Sequence, residues 1–193
     1  CAAEFLDLVW PVLLLLGVEH FHIAPGATKV TPLDFYDYPY SHSLVFSLGW
    51  SGMFGAIYYA LKRDARSAWV LAGVVFSHWV CDVVVHRPDL PVMPGGPYLG
   101  LGIWNSVVGT LVLEGTIFLS GLWLYVQMTK AKDGAGSWGF WAFIVFILAM
   151  YVGNVFGPPP PNETVVAWMG MSQWLMVAWI GWIDRHRVVS GGR

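Results

Sequence analysis

The chain has 193 residues, of which 56% are hydrophobic and only 11% are charged, against the roughly 25% charged residues of a soluble globular domain. That composition excludes an ordinary water-soluble domain, and twelve Trp and eight Tyr fit rings that collect at the two interfaces of a bilayer. A formal net charge of -2 gives no electrostatic basis for a nucleic-acid partner, so that class is set aside.

A helix needs roughly 20 apolar residues to cross a hydrocarbon core of about 30 Å. Taken in chain order, the apolar runs predict six spans over about 1–20, 43–61, 67–86, 99–128, 137–156 and 164–183. The fold class is therefore an all-α, polytopic transmembrane helix bundle, read as a single domain over 1–193. The first run, FLDLVWPVLLLLGV between Glu4 and Glu19, is short for a span and reads as one clipped at its N-terminal side. The two cysteines, Cys1 and Cys81, make no disulfide framework.

The connections after spans two, four and six carry eight of the ten Lys and Arg residues, leaving only Lys29 and Arg87 on the other side. The positive-inside rule then makes those basic loops and the C-terminus cytoplasmic. The outer connections (FHIAPGATKVTPLDFYDYPY, RPDLPVMPGGPYLG and GPPPPNE) are rich in Pro and Gly, which exclude regular helix and suit an ordered cap.

Ionisable groups within spans are expensive and face protein, water or a partner. His78, Asp82 and His86 recur every four residues in SHWVCDVVVHRPD, advancing by only about 40° per step around a helix, so they form one stripe. Imidazole and carboxylate at that spacing can present two ligand atoms to one divalent ion, zinc or manganese. The same pair can equally be a self-satisfied hydrogen bond packing against another helix. His42, in YPYSHSL, stands at the outer start of span two, within reach of the stripe if spans two and three form a hairpin; Ser41 beside it reads as a helix N-cap. Glu19 and His20 end the first span, either as solvated interfacial groups or as proton carriers for the same site. Glu114 and Asp7 lie deeper. Glu114 is expected to pair with an Asn amide, an indole or Asp7.

The order of EFLDLVW, YPYSHSL and SHWVCDVVVHRPDLP resembles bacterial inner-membrane, multi-pass proteins described as membrane-bound metal-dependent hydrolase-like. The likeness covers residues 1 to about 128. It implies Asp7 as an acidic ligand, His42 as the SHS histidine, and His78 with Asp82 as an HxxxD pair. That family's N-terminal His element has no counterpart here. Asp7 also stands about 20 Å of helix before His20, so meeting His42 calls for a bend at Pro11 or for a deep start to span two.

Two functions follow as expectations. One is a membrane-embedded metal-dependent hydrolase acting on a lipid-like ester or phosphoester near the outer leaflet, with His86 or Glu19 exchanging protons. The other is a non-enzymatic subunit of a larger membrane complex, in contact with other membrane-protein subunits, whose histidines bind a haem or chlorin. No GxSxG or HExxH motif supports serine-esterase or zincin chemistry.

Overall fold

The computed structural model describes residues 2–190; Cys1 and Arg193, considered above, lie outside the described residues. The element order is α1 (Phe5–Leu15), strands β1 (His20–Ile23) and β2 (Leu33–Asp37), α2 (Pro39–His42), α3 (Leu44–Lys62), α4 (Ala65–Val85), strands β3 (Leu90–Pro91) and β4 (Tyr98–Leu99), then α5 (Val107–Met128), β5 (Thr129–Ala131), α6 (Gly134–Phe156), α7 (Glu163–Arg185) and β6 (Arg187–Val189). Helices dominate, and the strands form three two-stranded antiparallel ribbons, β1–β2, β3–β4 and β5–β6.

Helices α3 to α7 have 19 to 23 residues and an apolar composition, or about 28 to 35 Å of rise, enough to cross a bilayer. The chain is a multi-pass membrane protein. Each of these five helices starts at a side chain that accepts a first-turn amide: Ser43 from Phe46, Asp64 from Ser67, Ser106 from Gly109, Asp133 from Gly136, and Asn162 from Val165. Such caps matter because lipid offers the free amides of a helix end no partner.

Two expected spans take a different form. α1 has only 11 residues; Gly17 then adopts φ 69°, and the amides of Val18 and Glu19 both bond the Leu13 carbonyl, so the chain folds back beside its own helix. The fourth expected span loses its first residues to β4 and to a 3-10 turn over Ile103–Asn105, and its helix begins only after the Ser106 cap.

The described chain falls into two compact units. The first runs through Asn105 and adds Pro159–Met171. Its α3–α4 hairpin turns through Arg63 in the left-handed region, φ 56°, directly before the Asp64 cap. A Cβ on Gly55 would lie 3.0 Å from the Ala68 carbonyl oxygen and 3.1 Å from the Ala72 Cβ, so small residues set how near these two helices approach. Leu6, Tyr38, Val75, Trp79 and Leu90 form its buried centre, and α1 continues unbroken through Pro11, whose ring packs on Gly170 of α7. The second unit holds Ser106–Pro158 and the chain from Ser172 onward, with Phe140, Phe143 and Ile183 buried among residues of α5, α6 and α7.

Candidate metal centre

Three helices of the first unit bring four side chains to one point. Asp7 stands in the first turn of α1, His42 is the last residue of α2, and His78 and Asp82 sit one turn apart on α4. The α3–α4 hairpin places the end of α2 beside α4, and α1 packs on both. His42 Nε2 lies 3.2 Å from Asp7 Oδ1 and 4.0 Å from Asp82 Oδ2. His78 Nε2 lies 3.7 Å from Asp7 Oδ1 and 3.4 Å from Asp82 Oδ2. The ligand atoms of Asp7, His42 and His78 fall within 4.8 Å of one another, a set that could hold a metal ion. His42, His78 and Asp82 are nearly closed off, whereas the Asp7 side chain is 35% exposed, so the group opens on the Asp7 side.

Hydrogen bonds on the far side of each ring decide what faces this point. His78 Nδ1 lies 2.7 Å from the Ala3 carbonyl oxygen. A carbonyl only accepts, so Nδ1 donates, and the ring, when neutral, turns its Nε2 lone pair to the carboxylates. Behind His42 stands a longer chain. Glu19, 1% exposed, accepts at Oε1 from the amides of Tyr40 (2.7 Å) and Ser41 (2.8 Å), and at Oε2 from the Ser41 hydroxyl (2.6 Å). With Glu19 ionised, the Ser41 hydroxyl proton is committed to Oε2 and Ser41 Oγ accepts from His42 Nδ1 at 2.7 Å. Burial pushes the Glu19 carboxyl up, and its bonds to Ser41 and Tyr40 pull it back down.

With both rings neutral in these tautomers, two imidazole lone pairs and two carboxylates meet at one point. Protonated at Nε2, His42 would donate to Asp7 Oδ1 at 3.2 Å and His78 would stand 3.4 Å from Asp82 Oδ2. Asp82 Oδ2 nevertheless remains a buried oxygen with no hydrogen bond, a state that costs about 1 to 3 kcal/mol for an ordinary group and more for a charged one. A divalent cation held by Asp7, His42 and His78 would answer these acceptors and bring positive charge near Asp82, and imidazole with carboxylate suits one. The far-side hydrogen bonds from Nδ1 have the form that orients metal-ligating histidines.

Of the six residues singled out by sequence, the structure brings Asp7, His42, His78 and Asp82 together. Glu19 stands behind His42, acting through Ser41. His86 belongs to a neighbouring network: its Nδ1 lies 3.0 Å from Asp89 Oδ1 and 3.4 Å from the Tyr38 hydroxyl, and its ring rests on Trp104 and Phe35. Asp89 also accepts from Arg87 Nε at 2.9 Å, and Arg87 pairs with Asp34 of β2. Ser41 is not the N-cap it resembles. Ser43 caps α3, because the four-residue α2 ends at His42 and the long helix starts anew, which frees the Ser41 hydroxyl to link Glu19 and His42. The reach from Asp7 to His42 needs no bend at Pro11, since the turn after Leu15 returns the chain. His20 pairs with Asp37 at 3.1 Å on the exposed face of the β1–β2 ribbon. Glu114 lies against the Tyr151 hydroxyl. Sequence reasoning missed the Ala3 carbonyl and Ser41 as orienting groups; the adjacency of Ser41 to His42 was the one available signal.

Comparison with family models, with curated proteins and with solved structures returns no match to this chain. Fold and site together define its class: a multi-pass membrane protein whose helices enclose a His/Asp group able to hold a metal ion.

Proposed function

We propose that this protein is a membrane-embedded metal-dependent hydrolase acting on a lipid-like ester or phosphoester near the outer leaflet of a bacterial inner membrane. The observation that carries the reading is the convergence of four acceptor atoms from α1, α2 and α4, one of them the otherwise unbonded Asp82 Oδ2. Zinc or manganese fits the donor set. A divalent ion, when bound, acts as a Lewis acid on an ester or phosphoryl oxygen and lets water ionise near neutral pH.

The chain's own residues then have distinct tasks. Asp7, His42 and His78 would hold the ion, with Asp82 beside them, and the Asp7 side is where the group is open. Glu19 and Ser41 keep His42 in the ligating tautomer. His86, held through Nδ1 by Asp89 and within electrostatic reach of Asp7 and Asp82, is the group we assign to proton exchange. The Lys- and Arg-bearing connections face the cytoplasm by the positive-inside rule, which turns the end carrying α2 and the β1–β2 ribbon outward. A bare ion is preferred to a haem or chlorin in this reading because His42 Nε2 and His78 Nε2 each lie against a carboxylate oxygen.

The test uses full-length protein in lipid vesicles, stripped with a chelator and reloaded with zinc or manganese. Release of fatty acid or phosphate from the vesicle lipids should require the added ion and disappear in His42→Ala. Ion-loaded protein that hydrolyses neither ester nor phosphoester bonds would remove the hydrolase and leave a metal-holding subunit of a membrane complex.

A further inference from the structure

Helices α5, α6 and α7 of the second unit leave a groove of about 330 Å3 that the metal group does not use. Its volume lies at the lower end of the range for small-molecule sites, about 300 to 1,000 Å3. Ile117, Gly121, Phe143, Ile147 and Ile180 contribute an apolar wall, and the phenol of Tyr125 is its one polar side chain, already donating to Asp184 Oδ1 at 2.7 Å. On α5 the lining runs from Ile117 to Tyr125, about 12 Å of helix rise, so the groove is elongated along the helix. A Cβ on Gly121 would meet nothing within 4 Å; the absent side chain is part of the space.

One end of this apolar groove is cationic. The Arg187 guanidinium lies 5.2 Å over the Tyr125 ring and 4.7 Å over the Phe140 ring, and both rings line the groove. Its donors reach Thr129 Oγ1, the Thr129 carbonyl and the Gly136 carbonyl. All three acceptors are neutral. Among the described residues, no ion pair within 4 Å includes Arg187; the Asp184 carboxylate on the Tyr125 hydroxyl is engaged by that phenol and not by the guanidinium. Ala131 pairs with Arg187 across the β5–β6 ribbon, which puts Lys130, paired with Val188, on the ribbon's opposite face and Lys132 just beyond the strand. Lys132 Nζ is spent on the Arg185 carbonyl, and Lys130 is exposed.

We propose that this groove binds one acyl chain of an anionic phospholipid, with the phosphate met by Arg187. An apolar groove alone would take any chain. The guanidinium at its end adds the headgroup requirement, since basic pockets between membrane helices recognise anionic lipids and each cation near the surface contributes about 1 kcal/mol. Arg suits the task because its remaining donors can grip phosphate while its plane stays stacked on the rings. The site shares no residue with the metal group and stands whether or not the hydrolase reading survives.

Native mass spectrometry of the full-length protein, released from detergent with phosphatidylglycerol or phosphatidylcholine of identical chains, reads this directly. Wild type should retain phosphatidylglycerol about tenfold better than phosphatidylcholine. Arg187→Gln should bring the ratio near unity while still holding a chain, and Arg187→Lys, which keeps the charge, should preserve the preference. Gly121→Leu, which fills the groove, should lose both lipids. Equal retention of the two lipids by wild type, an unchanged ratio in Arg187→Gln, or wild-type retention in Gly121→Leu would each overturn the assignment.

Discussion

Ser41 has one hydroxyl proton, and where that proton points decides which nitrogen of His42 faces Asp7 and Asp82. With Glu19 ionised, the proton goes to Oε2 and the Nε2 lone pair is turned inward. Glu19→Gln presents an amide donor to Ser41 instead, reversing the chain of bonds so that Nε2 carries the proton. Nitrogen chemical shifts of His42 in metal-free protein should show the Nδ1–H tautomer in wild type and the Nε2–H tautomer in Glu19→Gln. Metal affinity should fall about 10- to 100-fold in that variant, as for other residues that orient a ligating histidine. An unchanged tautomer in Glu19→Gln would detach Glu19 from the site. Acid should act in the same direction: as pH falls through the Glu19 titration, which burial has raised, the carboxyl gains a proton, Ser41 loses its fixed acceptor, and the tautomer preference fades.

At the scale of elements, packing and capping set where the ligands stand. Gly55 fixes the α3–α4 approach that carries His42 toward His78 and Asp82, so Gly55→Val should destabilise the protein by about 1 to 3 kcal/mol through overpacking. Gly49→Ala, where a Cβ meets nothing within 4 Å, should change little; detergent-unfolding midpoints of the two variants make the comparison. In the second unit, Asp133 caps α6 and accepts from His186 at 2.8 Å, and the His186 bond holds its carboxyl below the ordinary value. A depressed carboxylate contributes above its unfolded pKa and loses that contribution as pH falls through the folded one. Hydrogen-exchange protection of the Gly136 amide should therefore drop on acidification in wild type, and Asp133→Asn should flatten that dependence.

The same scale separates what the sequence discloses from what it hides. The five long helices follow from uninterrupted apolar runs with Ser, Asp or Asn before each, and apart from the start of α5 their ends lie near the expected ones because both signals are local. The i, i+4 stripe of α4 was equally legible. The β1–β2 and β3–β4 ribbons were not, since Pro and Gly mark turns without saying which segments pair. Nor was the return of the chain after Leu15, because a glycine in the left-handed region reads as any loop glycine. Glu19 meets Ser41 across 22 residues, a contact that no spacing rule connects. His86 continues the stripe in sequence, yet Asp89 and Tyr38 draw its ring into another network.

For the whole molecule, the arrangement couples a polar group to a scaffold whose outward faces are apolar: Leu61, Trp69, Val108, Trp138 and Leu175 are all strongly exposed, as lipid-facing side chains should be. The orientation assigned from the basic connections can be checked with single cysteines in a background carrying both Cys1→Ser and Cys81→Ser. A cysteine in place of Arg66 or Lys130 should resist a membrane-impermeant thiol reagent in intact cells, whereas one in place of Tyr36 should react; the reverse pattern would turn the site to the cytoplasm. The most direct measurement remains the metal itself. Elemental analysis of purified full-length protein, backed by titration of chelator-stripped material, should find one divalent ion per chain in wild type and none in His78→Ala or Asp82→Ala. A wild-type protein that neither carries zinc or manganese nor takes up either when offered would contradict the account at its centre.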